Sequence, residues 1–368
     1  MLRTLICLVG PSFVVGCAQG EDGPDGSDSP ANGNIVWERQ FDEALANAAL
    51  IPAADDVLVV VTEEGSLVAL GPEDGAEIWS DEVERSAQLT WAVHLPAPDR
   101  LYLPDGAGAS TFDVQAGEST RGWIPLDNGQ ESVAITDGSD AFALSFIGLD
   151  YGLAWSCPHG DGKSCSTHVY IGDSFQTAPA PNGDTLVVIT STDIMQTREK
   201  VNNDPSEVDW TAPLGFAPEH APLLADGYAI VTSRDGEVAA FDTTDGSEVW
   251  TFDAETRTEG PAVVDEKAGL VLIAGNDGVI HALTLRGGVQ RWSHSLQDAV
   301  LGGMTVGDDT VYAASADGML HAFELEEGNV RWSADLGVQL VARPAVFGTS
   351  VVVADGQGGV FRVEGPGQ

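Results

Sequence analysis

The chain has 368 residues, 43% hydrophobic and 20% charged, with 43 glycines and 19 prolines, which describes a large, turn-rich globular body and not a disordered chain. Its 57 acidic side chains against 16 basic ones give a formal charge of −41, a field that repels phosphate backbones and anionic lipid and so argues against nucleic-acid binding. In chain order, residues 1–16 read as an export signal: Arg3 is followed by an apolar stretch, Leu5–Val15, that Pro11 interrupts and that is too short to span a bilayer. Ala18–Asn34 is rich in Gly, Asp, Ser and Pro, with almost nothing apolar to bury, and reads as a disordered acidic linker. The aspartates at 22, 25 and 28 read as solvated linker charge and not as a calcium site.

After residue 34 the chain repeats. Gly65, Gly236, Gly278 and Gly318 each precede a tryptophan (Trp79, Trp250, Trp292, Trp332) by fourteen residues. Each copy has an apolar run, an acidic-Gly turn, a short strand, a second Gly turn and the Trp, as in GNDGVIHALTLRGGVQRW over 275–292. Asp-Gly and Gly-Gly between β-rich runs are hairpin signals, so each copy is two linked hairpins. A period of about forty residues with four strands per copy predicts an all-β, eight-bladed β-propeller of four-stranded antiparallel blades.

The units run Val57–Trp79, Arg100–Trp123, a degenerate one over Asp140–Asp173, and Thr185–Trp210. Units ending at Trp250, Trp292 and Trp332 follow, and an eighth begins at Val346 and stops before any Trp. Trp37 precedes every unit, so Ile35–Phe41 is expected to pair with Gly359–Val363 and close the ring. Seven blades is the alternative, with the third unit a mere insertion. No helical pattern follows residue 34 apart from a turn near Asp42–Ala49.

Two resemblances add to this. Val14-Val15-Gly16-Cys17 resembles the bacterial lipobox, which implies lipidation at Cys17. Ala18 at the next position implies sorting to the outer membrane, facing periplasm or exterior. The domain plan is then signal 1–16, lipidated Cys and linker 17–34, and propeller 35–368. Ala240-x-Asp242-xxx-Gly246-xxx-Trp250 resembles the tryptophan-docking motif of PQQ-type propellers, in which each Trp packs on a glycine of a neighbouring blade. That implies docking roles for Trp37, Trp79, Trp123, Trp210, Trp250, Trp292 and Trp332. The motif Asp is replaced by Gly71, Thr284 and Glu324 in three copies, and Trp123 arrives two residues late.

Within that family the lipobox, tether and compact propeller resemble the BamB-type lipoproteins of outer-membrane barrel assembly. The resemblance implies a non-catalytic scaffold, a protein partner of the outer-membrane barrel-assembly kind, and no cofactor. The quinoprotein dehydrogenases of the family carry an adjacent Cys–Cys pair that this chain lacks. A PQQ-dependent or other surface enzyme stays as one alternative and a solute- or polysaccharide-binding lipoprotein as another. Cys157 and Cys165 flank a polar tip and are expected to form a disulfide, the alternative being a metal site with His159. The seven histidines show no ligand spacing, and His281 with His321 repeat one blade position. Phe146, Tyr151 and Trp155, in the degenerate unit, are the candidate partner surface.

Overall fold

The computed structural model describes residues 31–53, 57–82, 94–97, 100–104, 109–117, 119–120, 131–136, 141–147, 152–158, 166–171, 176–177, 180–182, 185–190, 192–199, 208–258 and 260–366. Among them there is no helix, and the strands form eight sheets. In chain order the sheets lie within 45–82, 94–120, 131–171, 180–213, 223–253, 263–295, 304–335 and 345–364, and are numbered one to eight. Within these ranges neighbouring strands are antiparallel hairpins, and the architecture is that of a β-propeller.

Each unit begins one strand earlier than the repeat pattern predicts. Leu45–Ala53, His94–Ala97, Glu131–Thr136 and Ala180–Asn182 are the first strands of sheets one to four. The turn expected near Asp42–Ala49 is a bend at 42–43 followed by strand from Leu45. Alanine and leucine are good helix formers, but propensity yields to tertiary context, and pairing of Leu50–Ala53 with Val57–Val60 prevails. The degenerate third unit is a regular four-stranded sheet, against the reading that made it an insertion.

Sheet eight has only three strands of its own: Ala345–Phe347, Ser350–Ala354 and Gly359–Glu364. Its fourth is Asn34–Gln40 from the other end of the chain, paired antiparallel with Gly359–Glu364. Just ahead of it, Ala31–Asn32 adds to sheet seven in parallel, opposite Trp332 and Ser333, so pairing begins inside the segment expected to be linker.

The core lies between sheets. Trp37, Leu45, Leu58, Val60, Leu70, Val352 and Val360 form one buried cluster that joins sheet eight to sheet one. Val271, Ile273 and Leu283 of sheet six pack with Ile230, Ala240 and Trp250 of sheet five. Strands buried on both faces read as continuous apolar runs, as VLVVVT does in Val57–Thr62.

Candidate binding groove at the seam of sheets eight and one

The seams share one construction. In sheets one, five, six and seven the Trp faces an alanine across the ladder, Ala69–Trp79, Ala240–Trp250, Ala282–Trp292 and Ala322–Trp332, and in sheet four Trp210 faces Thr197. Directly before each of the four Trp residues opposite alanine one residue is left out of the register, a β-bulge at Ile78, Val249, Arg291 and Arg331. A bulge bends and twists the strand, which re-aims the side chain that follows it. The indole thereby reaches the next sheet. Trp250 Nε1 donates to the Leu285 carbonyl at 2.8 Å, and its ring covers Gly288, where a Cβ would come within 2.5 Å.

Trp210 on Gly246 and Trp292 on Gly328 repeat this, with indole donors 3.0 Å from the Thr243 and Leu325 carbonyls. Trp79 donates to the Val114 carbonyl at 2.6 Å and lies on Gly117. Trp332 lies against Gly33 and Gly365. Where the motif has Asp242, its carboxylate takes the N–H of Thr244 at 2.8 Å and holds the turn that presents Gly246.

At the seam of sheets eight and one Trp37, 2% exposed, follows a bulge at Val36, lies on Gly75 and donates to the Pro72 carbonyl at 2.9 Å. Its cross-strand partner, however, is Arg362 and not alanine. The Arg362 guanidinium is buried and reaches the Glu73 carbonyl (2.5 Å) and carboxylate (3.0 Å) in sheet one. It also reaches Ser350 Oγ (2.7 Å) and Glu364 (2.8 Å) in its own sheet. Arg39 bonds the Glu77 carboxylate at 2.7 Å and the Gly75 carbonyl at 3.1 Å, and lies 5.2 Å from the Phe41 ring. Hydrogen bonds from Arg39 and then Ser80 hold the Glu77 carboxyl below its ordinary range.

Beside these links lies a groove of about 550 Å³. Phe41 and Val68 are its apolar lining, and Arg39 stands among the carboxylates of Asp42, Glu43, Glu77, Asp81 and Glu82. Glu43 accepts from the Thr62 hydroxyl and from Ser66 Oγ at 3.0 Å, which fixes one wall. The chemistry on offer is recognition of a cation with an apolar stem, since carboxylates surround a small hydrophobic floor. No group of three or more His, Cys, Asp or Glu suited to hold a metal occurs among the described residues.

Of the residues singled out by sequence, Cys17, Trp123, Tyr151 and Cys165 lie outside the described residues, as does His159. Cys157 stands in the strand Gly152–Pro158 opposite Phe142, Trp155 in the same strand opposite Leu144, and Phe146 opposite Ser132. Sequence reasoning missed Arg39, Arg362 and the groove. The available signal for Arg362 was VFRV where other copies read IHAL or LHAF, an arginine in the alanine slot.

The repeats match the family model of the outer membrane protein assembly factor BamB over residues 27–148, 154–299 and 276–365. The chain belongs to the BamB family. No curated protein sequence matches it. Among solved structures, BamB from Moraxella catarrhalis superposes with a TM-score of 0.65 at 15% identity, covering 92% of this chain and 99% of that one. Sqt1 from Saccharomyces cerevisiae gives 0.70 at 13%, covering 92% and 100%. Quinohemoprotein alcohol dehydrogenase from Comamonas testosteroni gives 0.66 at 12%, covering 91% and 76%. At such identities these likenesses speak for the fold alone.

Proposed function

We propose that this chain is a membrane-tethered, non-catalytic binding propeller serving outer-membrane protein assembly, with eight blades closed into one ring by its N-terminal strand. The ring is supported by Trp37, which sits on Gly75 of sheet one as Trp250 sits on Gly288 of sheet six. Such closure leaves no sheet pair open at the chain ends. Residues 1–16 act as the signal, Cys17 takes lipid and anchors the body to the outer membrane, and the propeller follows the linker. Cys157 and Cys165 are bonded to each other across their loop.

The observation that carries the binding role is the groove where the ring closes. Five carboxylates against one guanidinium favour a partner segment with lysine or arginine beside an apolar residue. The acidic tether, with Glu21, Asp22, Asp25 and Asp28, has the wrong charge to fill it. Phe146, Tyr151 and Trp155 supply a second partner surface on blade three.

A photo-crosslinking residue at Glu82, used in intact membranes, should trap one protein, and one at Glu266 on blade six should not. The triple variant Asp42→Asn, Asp81→Asn, Glu82→Gln should weaken binding of that protein by about tenfold at low salt, by loss of charge complementarity. Equal affinity of variant and wild type would sink the groove reading. Stoichiometric binding of pyrroloquinoline quinone with dye reduction by an alcohol would overturn the non-catalytic one.

A further inference from the structure

Two positions per seam lie beside the docking Trp and vary from seam to seam: the residue two after the Trp, and the residue before the alanine slot. Between sheets five and six they are Phe252 and His281, whose rings stand edge-on at 5.3 Å. Between sheets six and seven they are His294 and His321. His294 lies 4.8 Å from the ring of Phe323, and His321 stacks beside the same ring at 5.9 Å and 27°. Phe323 is fully buried, so two imidazoles from adjacent sheets flank one apolar ring. His321 Nδ1 is 2.9 Å from Ser333 Oγ, which orients its ring.

Burial lowers the basicity of both imidazoles. For His321 the nearby Asp317 opposes that effect and His294 adds to it. Among the described residues Asp317, in the turn of sheet seven, and His294 act on His321, while burial is the cause at His294. Asp317 is already engaged by the Ser315 hydroxyl and by the Met319 N–H at 3.1 Å. One partly committed carboxylate faces His321, and none acts on His294.

We propose that the seam between sheets six and seven is an acid-sensitive joint, which loosens when His294 and His321 both take protons and set like charges across the apolar contact at Phe323. A base whose folded pKa is depressed gives full stability above its unfolded value, near 6.5, and loses it as pH falls through that value toward the folded one. The joint is therefore tight at neutral pH and weakens below about pH 6.5.

Hydrogen exchange on the full chain at pH 7.5 and 5, corrected for intrinsic rates, tests this. Strands Gln290–Ser295 and Met319–Glu324 should lose protection at the lower pH relative to Tyr228–Thr232 in sheet five, whose seam with sheet four has alanines (Ala212, Ala239) at the two positions. The double variant His294→Phe, His321→Gln keeps an aromatic ring on Phe323 and a partner for Ser333, but cannot titrate. Lowering the pH should cost the wild type at least about 2 °C more in melting temperature than this variant. Equal pH responses of wild type and variant overturn the proposal. Should the variant fail to fold, NMR titration of the wild-type imidazoles decides: both midpoints below 6.5 support the joint, and either at or above it refutes the joint.

Discussion

Trp37→Ala tests the seam of sheets eight and one most directly. The side chain is 2% exposed, covers Gly75 and donates to the buried Pro72 carbonyl at 2.9 Å. Truncating a buried tryptophan costs about 3–5 kcal/mol through lost contacts and the cavity left behind. Leaving the Pro72 carbonyl without its donor adds about 1 kcal/mol or more. The expected loss is about 4–6 kcal/mol, a large share of the roughly 5–15 kcal/mol of a folded protein. Trp79 performs the same task at the seam of sheets one and two but is only partly buried, so Trp79→Ala should cost less. Urea unfolding followed by circular dichroism and by tryptophan fluorescence gives both losses, with coincident transitions as the check on two-state behaviour. A loss under about 1.5 kcal/mol for Trp37→Ala, or one no larger than that for Trp79→Ala, would refute the reasoning.

Deleting residues 35–41 should lower the melting temperature of the whole domain, whereas deleting 18–30 should leave it unchanged. Equal melting of the two truncations would contradict closure by the N-terminal strand. Glu77, held low by Arg39, stabilises above the unfolded carboxylate pKa and loses that contribution as pH falls through its lower folded value. Glu77→Gln should thus flatten the acid limb of the stability profile below about pH 4.3, with a loss at neutral pH of no more than about 1 kcal/mol that salt erodes. Thiol counting on exported protein should find Cys157 and Cys165 unreactive, and Cys157→Ser should cost at most about 2–3 kcal/mol, because the loop is short. Cys17→Ser should release the protein from membranes without changing its melting temperature; retention on the membrane would remove the lipid anchor from the account.

The repeat was legible because each seam needs the same few residues: a Trp, a small residue opposite it, and a glycine for the ring to lie on. Those requirements leave a fixed spacing in the sequence, and the same spacing exposed Trp37 as a tryptophan without a unit. The bulge before each Trp was not legible, since Ile78, Val249 and Arg291 share no chemistry and the irregularity belongs to the backbone. First strands were hard to read for another reason. Leu223–Ala225, Val263–Asp265 and Ala345–Phe347 are three residues each, too short to show a period of two. Leu45–Ala53 is longer, but its alanines mimic a helical turn. The groove was invisible because its walls come from residues 39–43 and 62–82, which sit in different sheets and meet only in the fold.

A propeller built on one docking rule has little freedom at the Trp, the alanine slot and the glycine. Variation is displaced to the two neighbouring positions, and there the seams diverge: Arg39 with Val68, Phe252 with His281, His294 with His321, Ala334 with Phe361. At three of these seams at least one ring stands at the pair. At the closing seam the pair is a valine and an arginine drawn toward Glu77, and that is where the groove lies. The seam of sheets eight and one departs from the alanine rule further than Thr197 does opposite Trp210, with Arg362, whose bonds to Glu73 join sheet eight to sheet one. A buried guanidinium is costly without partners, and its four acceptors exist together only when these two sheets are in contact. Separating the two sheets returns the guanidinium to water, so what favours their contact is its two bonds to Glu73 and not the cost of the charge itself. Replacing Arg362 with alanine would restore the common motif and remove both bonds to Glu73, at the seam where the groove lies.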